Sequence, residues 1–296
     1  MSKKDSTDIA VRSVKKSKLK EVWHQFKKNK GAMIGVVIVI LLVLLTLFSD
    51  VIWNYETDVI AMHPADRLIK PSWEHPFGTD SMGRDMVARI GYGTRYSLII
   101  GIFAVAISVV FGSFLGAIAG YYGGIAETIT MRIVEIFLMI PSILLIIMVM
   151  AIAGTSLMNL MIAMGITTIP YFARNARAAV LTVRGNEYVE AARAVGAKDL
   201  SIIFGHVFPN SFSPILVQAT TRVAQCIVQA ASFSFLGLGV PPPTPEWGTL
   251  LSDSRAYMRT DAYLTFFPGL AIMVLVLSIN LIGDGLRDAL DPKLKR

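Results

Sequence analysis

The sequence predicts an all-α, polytopic membrane protein with six transmembrane helices, on three observations. Hydrophobic residues fill 54% of the 296 positions and charged ones only 17%, a balance that excludes a chain of large soluble domains. Uncharged runs such as Gly31 to Phe48 and Ile136 to Ala173 have the length a helix needs to cross a bilayer once and twice, respectively. Ten of the 28 Lys and Arg precede the first run, within the first 30 residues. Basic charge so placed sets membrane orientation and does not point to nucleic acid.

In order, residues 1–30 are a cytoplasmic basic tail that ends in an amphipathic helix, with Leu19, Val22, Trp23 and Phe26 at helical spacing among lysines. About thirty residues precede the first apolar run and no small-residue cleavage site follows it, so no removable signal peptide is expected. The first transmembrane helix is 31–53, closed by the interfacial aromatics Trp53 and Tyr55. Residues 54–95 form an external segment with Pro64, Pro71 and Pro76. Within it Asp80 is expected to cap an interfacial helix bearing Met82, Met86 and Ile90.

A five-helix core occupies 96–286. Its first span, Tyr96 to Ala119, carries Gly112, Gly116 and Gly120 on one face, a spacing that lets membrane helices approach closely. The charge-free stretch from Ile136 to Ala173 gives two spans with a break at Gly154 to Ser156, and Pro141 and Pro170 are placed to kink them. A polar loop, 174–210, follows. Phe212 to Phe235 and Tyr263 to Gly283 are the last two spans, separated by a glycine and proline segment, and 287–296 is a cytoplasmic tail.

Charge assigns the sides. With both termini inside, the inside segments hold ten Lys and Arg in the first 30 residues, five in 174–205 and four in 287–296. The outside ones hold five in 54–95, plus Arg255 and Arg259. The loop at 174–210 is then cytoplasmic.

Chemistry within the chain is sparse. No Gly-X4-Gly-Lys-Ser/Thr pattern is present, so any ATPase is another chain. Cys226 is the single cysteine, which leaves no disulfide within the chain and no cysteine metal cluster. His24, His63, His75 and His206 show no ligand spacing, although His63 and His75 share the external segment. No triad or carboxylate pair is placed for catalysis, so a non-enzymatic role is expected. Arg222 stands alone near the middle of the fifth span. A charge there is costly, and two readings follow. Either Arg222 lines a pathway and meets the carboxylate of a peptide, or it pairs structurally with Glu135, another acid or backbone carbonyls.

The polar loop supplies the most specific pattern. Glu187, Glu190, Ala191 and Ala192 sit on good helix formers, Gly196 can end that helix in a left-handed conformation, and Asp199 can cap a second one. The Glu190-Ala191-Ala192 run, three residues, Gly196, nine residues, and the ending His206-Val207-Phe208-Pro209 resemble the EAA loop of permeases of ATP-binding-cassette (ABC) importers. The run Phe77-Gly78-Thr79-Asp80 followed by Gly83-Arg84-Asp85, and the run from Ser234 through Gly237 and Gly239 to Pro245-Glu246-Trp247-Gly248, resemble the dipeptide, oligopeptide and nickel branch of that family.

The resemblance implies the type I permease fold and a role as the transmembrane subunit of an importer that moves di- or oligopeptides by alternating access. The implied partners are a second homologous permease, two ATP-binding subunits that seat the loop in a groove, and an external substrate-binding protein. ATP and magnesium are then held by the partner ATPase subunits, and this chain carries no cofactor. The implied location is the bacterial inner membrane. Nickel and glutathione are alternative cargoes. An ion-coupled secondary transporter is the rival class, but its paired midplane ionisable groups and inverted repeat are not found. A non-transporting scaffold leaves the polar loop without a role.

Overall fold

The computed structural model describes residues 20–290. Among them there is no strand, only an isolated bridge between Thr79 and Asp85. Helix α1 covers 20–28. Its Val22 and Phe26 pack against Ala32 and Ala289. Part of this apolar face therefore serves the base of the bundle, while Trp23 stays half exposed; Leu19 lies outside the described residues. Helix α2 (Lys30–Ile52) begins where the Asn29 side chain accepts the Ala32 N–H, an N-cap. Trp53 packs on Gly91, where an added Cβ would lie 2.3 Å from the indole.

Helix α3 (Met86–Tyr122) is 37 residues long, about 55 Å at 1.5 Å per residue. The expected interfacial helix and the second span are thus one element, and the first ten residues of that span fall within the stretch assigned as external segment. Within those ten residues the charge is paired: Arg95 donates to Asp50 at 2.8 Å and also reaches Ser49. Asp85, not Asp80, caps this helix, accepting from Val87 N at 2.7 Å and Ala88 N at 3.0 Å.

Gly123 and Gly124, both at positive φ, reverse the chain into α4 (Gly124–Met139). At Pro141 the path bends by 83° into α5 (Ser142–Ala153). After the expected break, α6 (Leu157–Leu181) runs parallel to α3. The glycine stripe is the seam between them. A Cβ on Gly112 would meet Phe172 Cβ at 2.6 Å, one on Gly116 the Ala173 carbonyl at 2.2 Å, and one on Gly120 Val180 at 2.9 Å. Helix α6 also continues through Arg174 to Leu181, so the polar loop begins later than its charges suggested.

Then come α7 (Glu187–Ala194), α8 (Asp199–Ile202), a π-helical turn over Ile203–Val207, α9 (Phe208–Phe235), α10 (Trp247–Asp253) and α11 (Tyr263–Leu290). Among the described residues four helical stretches are long and apolar enough to span a membrane, and the bent α4–α5 pair, taken as one span, adds a fifth. The expected sixth, α6, is 25 residues long but carries Asn159, Pro170, Arg174 and Arg177, which make it less apolar. It is instead central: Met161, Met164 and Phe172 are buried with Ile100, Val105, Ile146, Ile215 and Phe233. The bundle has two dissimilar ends. One gathers α1, α7, α8 and the C-termini of α3 and α11; the other gathers residues 54–85, α10 and the start of α11.

Candidate functional site

Helix α7 has Glu187 and Glu190 in its first turn and Arg193 in its last, the arrangement its dipole favours. It closes at Gly196, φ 79. The Gly196 N–H bonds the Arg193 carbonyl at 3.0 Å and the Ala197 N–H the Ala192 carbonyl at 3.1 Å, a Schellman motif. The elbow expected at Gly196 is present, with α8 leaving on its far side. Asp199 departs from expectation: α8 has no side-chain cap, Lys198 being the residue before it. The Asp199 carboxylate instead accepts a 2.7 Å hydrogen bond from the Tyr121 hydroxyl at the end of α3. Arg193, on the other side of the elbow, donates to the Tyr121 hydroxyl oxygen at 3.2 Å. Two short helices are therefore tied to one point on the longest helix of the core.

Beneath the elbow, Val189, Ile202, Ile203 and Val207 are buried with Tyr121, Val180 and Val183, and Ala192 packs partly against them. Its other face is open. Glu187, Glu190, Ala191, Gly196 and Pro209 are exposed, and Val195 and Leu200 stand 84% and 63% exposed at its tip. An added Cβ at Gly196 meets nothing within 4 Å. Pro209 falls in the first turn of α9, where its missing N–H leaves no helical bond unmade.

At the opposite end, a buried charge cluster fastens the segment before α3. Asp80 accepts from the Met82 and Arg84 N–H groups, from Arg84 Nε at 2.7 Å and from Arg89 Nη1 at 2.5 Å. Asp253 on α10 lies 3.9 Å from Arg84 and 4.0 Å from Arg89. Burial alone would raise the Asp80 pKa, but the Arg89 and Arg84 guanidiniums and the two N–H groups hold it below the ordinary carboxylate value. Burial prevails at Asp253 and raises it. Tyr263 donates to the Thr79 carbonyl, Trp247 to the Ile90 carbonyl, and Phe77 stacks on Phe267 at 4.1 Å. His75 binds the Asp85 carboxylate at 2.8 Å, so its ring serves the cap of α3. The sequence reading missed Arg89 and Asp253, which the fold brings to 4.0 Å from far apart in the chain; no local pattern links them.

Arg222 completes the set. Of the two readings for it, pairing with Glu135 does not occur: Glu135 binds Arg132 at 3.1 Å. Among the described residues no ion pair involves Arg222. Its guanidinium lies 4.1 Å above the Tyr171 ring and donates to Gln225 Oε1 at 3.0 Å. Tyr171 in turn donates to Gln218 Oε1 at 2.6 Å. Gln218, Arg222, Gln225 and Gln229 recur at helical spacing on one stripe of α9, a period that was legible in the sequence and was overlooked.

The sequence pattern of the family described as "Binding-protein-dependent transport system inner membrane component" matches residues 112–296. The chain belongs to that family. A second pattern, the N-terminal TM domain of oligopeptide transport permease C, matches residues 17–71 of this permease. A protein named dipeptide transport system permease protein DppC from Alkalihalophilus pseudofirmus is 47% identical over 276 residues, covering 93% of this permease and 90% of the relative. DppC of Haemophilus influenzae is 40% identical over 98% and 100% of the two chains. A glutathione transport system permease protein, GsiD of Pectobacterium atrosepticum, is 43% identical over 93% and 91%. Among solved structures, a chain of the inward-facing MetNI methionine ABC transporter superposes with a TM-score of 0.57 at 21% identity, covering 70% of this permease and 98% of that chain. The fold is that of ABC importer permeases.

Proposed function

We propose that this permease moves di- and oligopeptides inward across the bacterial inner membrane by alternating access, driven by separate ATPase subunits. The observation that carries the reading is the joining of full-length similarity to permeases named for dipeptide transport with an elbow fastened on one face and exposed on the other. Each complex holds this chain, a second homologous permease, two ATP-binding subunits and an external binding protein. ATP and magnesium reside on the partners, and this chain performs no chemistry of its own. The N- and C-termini are cytoplasmic, so the elbow meets the ATPases and residues 54–85 meet the binding protein.

In this mechanism, closure of the ATPases displaces the surface bearing Glu187, Glu190, Ala191 and Gly196. The small side chains of Ala191 and Gly196 admit a partner close to the backbone, while Val195 and Leu200 enter its groove. Ala192 and Asp199 hold the elbow to the bundle and Pro209 lies in the first turn of α9, so displacement passes into α3 and α9. The test is uptake of labelled di- and oligopeptides into proteoliposomes that hold the purified complex, its binding protein and ATP on the ATPase side. ATP-dependent accumulation is expected; uptake driven by a proton gradient with no copurifying ATPase would overturn the class. Glutathione is the second cargo reading, favoured by the 43% identity to GsiD. Accumulation of glutathione without dipeptides would establish it.

A further inference from the structure

The α9 stripe ends in an unmatched positive charge beside open space. Thr221, Arg222, Gln225, Gln229, Val276 and Asn280 line a cavity of about 420 Å³, within the range of small-molecule sites. Val228 also lines a neighbouring cavity of about 440 Å³, walled by Phe235, Leu236, Leu251 and Ile272. The two cavities follow one another along α9 towards the end that carries residues 54–85 and α10. The order of surfaces is therefore apolar near that end, then amides, then one guanidinium.

Arg222 is held in readiness. The Tyr171 ring supports one face of the guanidinium, Gln225 occupies Nη1, and Nε is buried without a hydrogen-bond partner. A half-buried cation on a membrane helix calls for a counter-charge, and this chain provides none in an ion pair among its described residues. Amide side chains offer both donors and acceptors and bind peptide groups without regard to the side chains those groups carry.

We propose, building on the importer reading above, that Arg222 with Gln225, Gln229 and Asn280 forms a subsite for the C-terminal carboxylate and adjoining peptide groups of the cargo. Peptide side chains occupy the apolar cavity that Val228 shares. Tyr171 and Gln218 are positioning residues, fixing the plane of the guanidinium so that its fork meets the carboxylate.

The experiment compares a dipeptide with its C-terminal amide in ATP-driven proteoliposome uptake, each at saturating binding protein. The wild-type complex is expected to prefer the free acid by about ten-fold, the scale of one lost charged contact. Arg222→Gln is expected to abolish that preference, free-acid uptake falling to the level of the amide. Gln225→Glu, which places a carboxylate beside Arg222 within the chain, is expected to do the same and to assemble normally. An assembled variant that keeps the preference overturns the subsite. So does failure of both variants to assemble, or equal loss of both substrates, which would assign the counter-charge of Arg222 to the second permease. Absence of any ATP-driven uptake by the wild type would instead sink the importer reading.

Discussion

Asp80 shows how much one carboxylate can organise. It accepts from two guanidiniums and two backbone N–H groups, and removing it leaves two arginines buried, each under 3% exposed. An uncompensated buried charge costs about 3–5 kcal/mol. Asp80→Ala is therefore expected to lower the thermal midpoint of the purified complex and to open residues 54–85 to protease. A midpoint within a degree of wild type would show that the cluster is not what holds that segment. The pH dependence follows from the same contacts. Since the folded state lowers the Asp80 pKa, its stabilisation is complete above the ordinary value of 3.8 and is lost as pH falls through the lowered one. Asp253, raised by burial, contributes with the opposite sign, losing its share as pH rises through its folded value. Protease resistance of the segment should accordingly hold at pH 5 and fail only below about pH 4. Asp80→Asn should abolish that acid transition.

Among elements, the elbow and the α3–α6 seam matter most, because each turns local sequence into long-range order. At the seam, Gly116→Leu would force a side chain onto the Ala173 carbonyl, 2.2 Å from where its Cβ must lie. The helices would have to part, and the yield of assembled complex should fall several-fold; yield equal to wild type would mean the seam tolerates separation. At the elbow, Gly196→Leu meets no atom of this chain but adopts φ 79, at a cost of about 1–2 kcal/mol. The complex should assemble and lose most ATP-driven uptake, since the added bulk meets only the docked partner. Unchanged uptake in an intact complex would remove the elbow from coupling. Tyr121→Phe is a finer probe: the ring stays packed while the hydroxyl shared by Asp199 and Arg193 is lost. Peptide moved per ATP hydrolysed should drop, with Asp199→Asn, which keeps an acceptor oxygen, near wild type. An unaltered ratio in Tyr121→Phe would show that packing alone transmits the motion.

For the whole molecule, what the sequence made legible is what depends on local chemistry. Apolar runs located α2 and α11, glycine spacing located the seam, and a glycine after Glu-Ala-Ala located the elbow. Illegible were features set by partners far along the chain. Arg89 went unread because its contact with Asp253 is made only in the fold, and Asp199 looked like a cap because Tyr121 lies 78 residues away. Sidedness rests on where Lys and Arg gather, and the structure allows a direct assay. Trp73 is fully exposed on the segment before α3, and Val195 is 84% exposed at the elbow. Cys226, the single native thiol, is buried at 1% exposure, so Cys226→Ala gives a silent background for single-cysteine labelling in whole cells. With the termini cytoplasmic, Trp73→Cys should react with a membrane-impermeant maleimide in intact cells whose outer surface is accessible. Val195→Cys should react only after permeabilisation, and less once an ATPase subunit is bound. The reverse pattern would turn the permease over in the membrane and move the elbow out of reach of any ATPase that draws on cellular ATP.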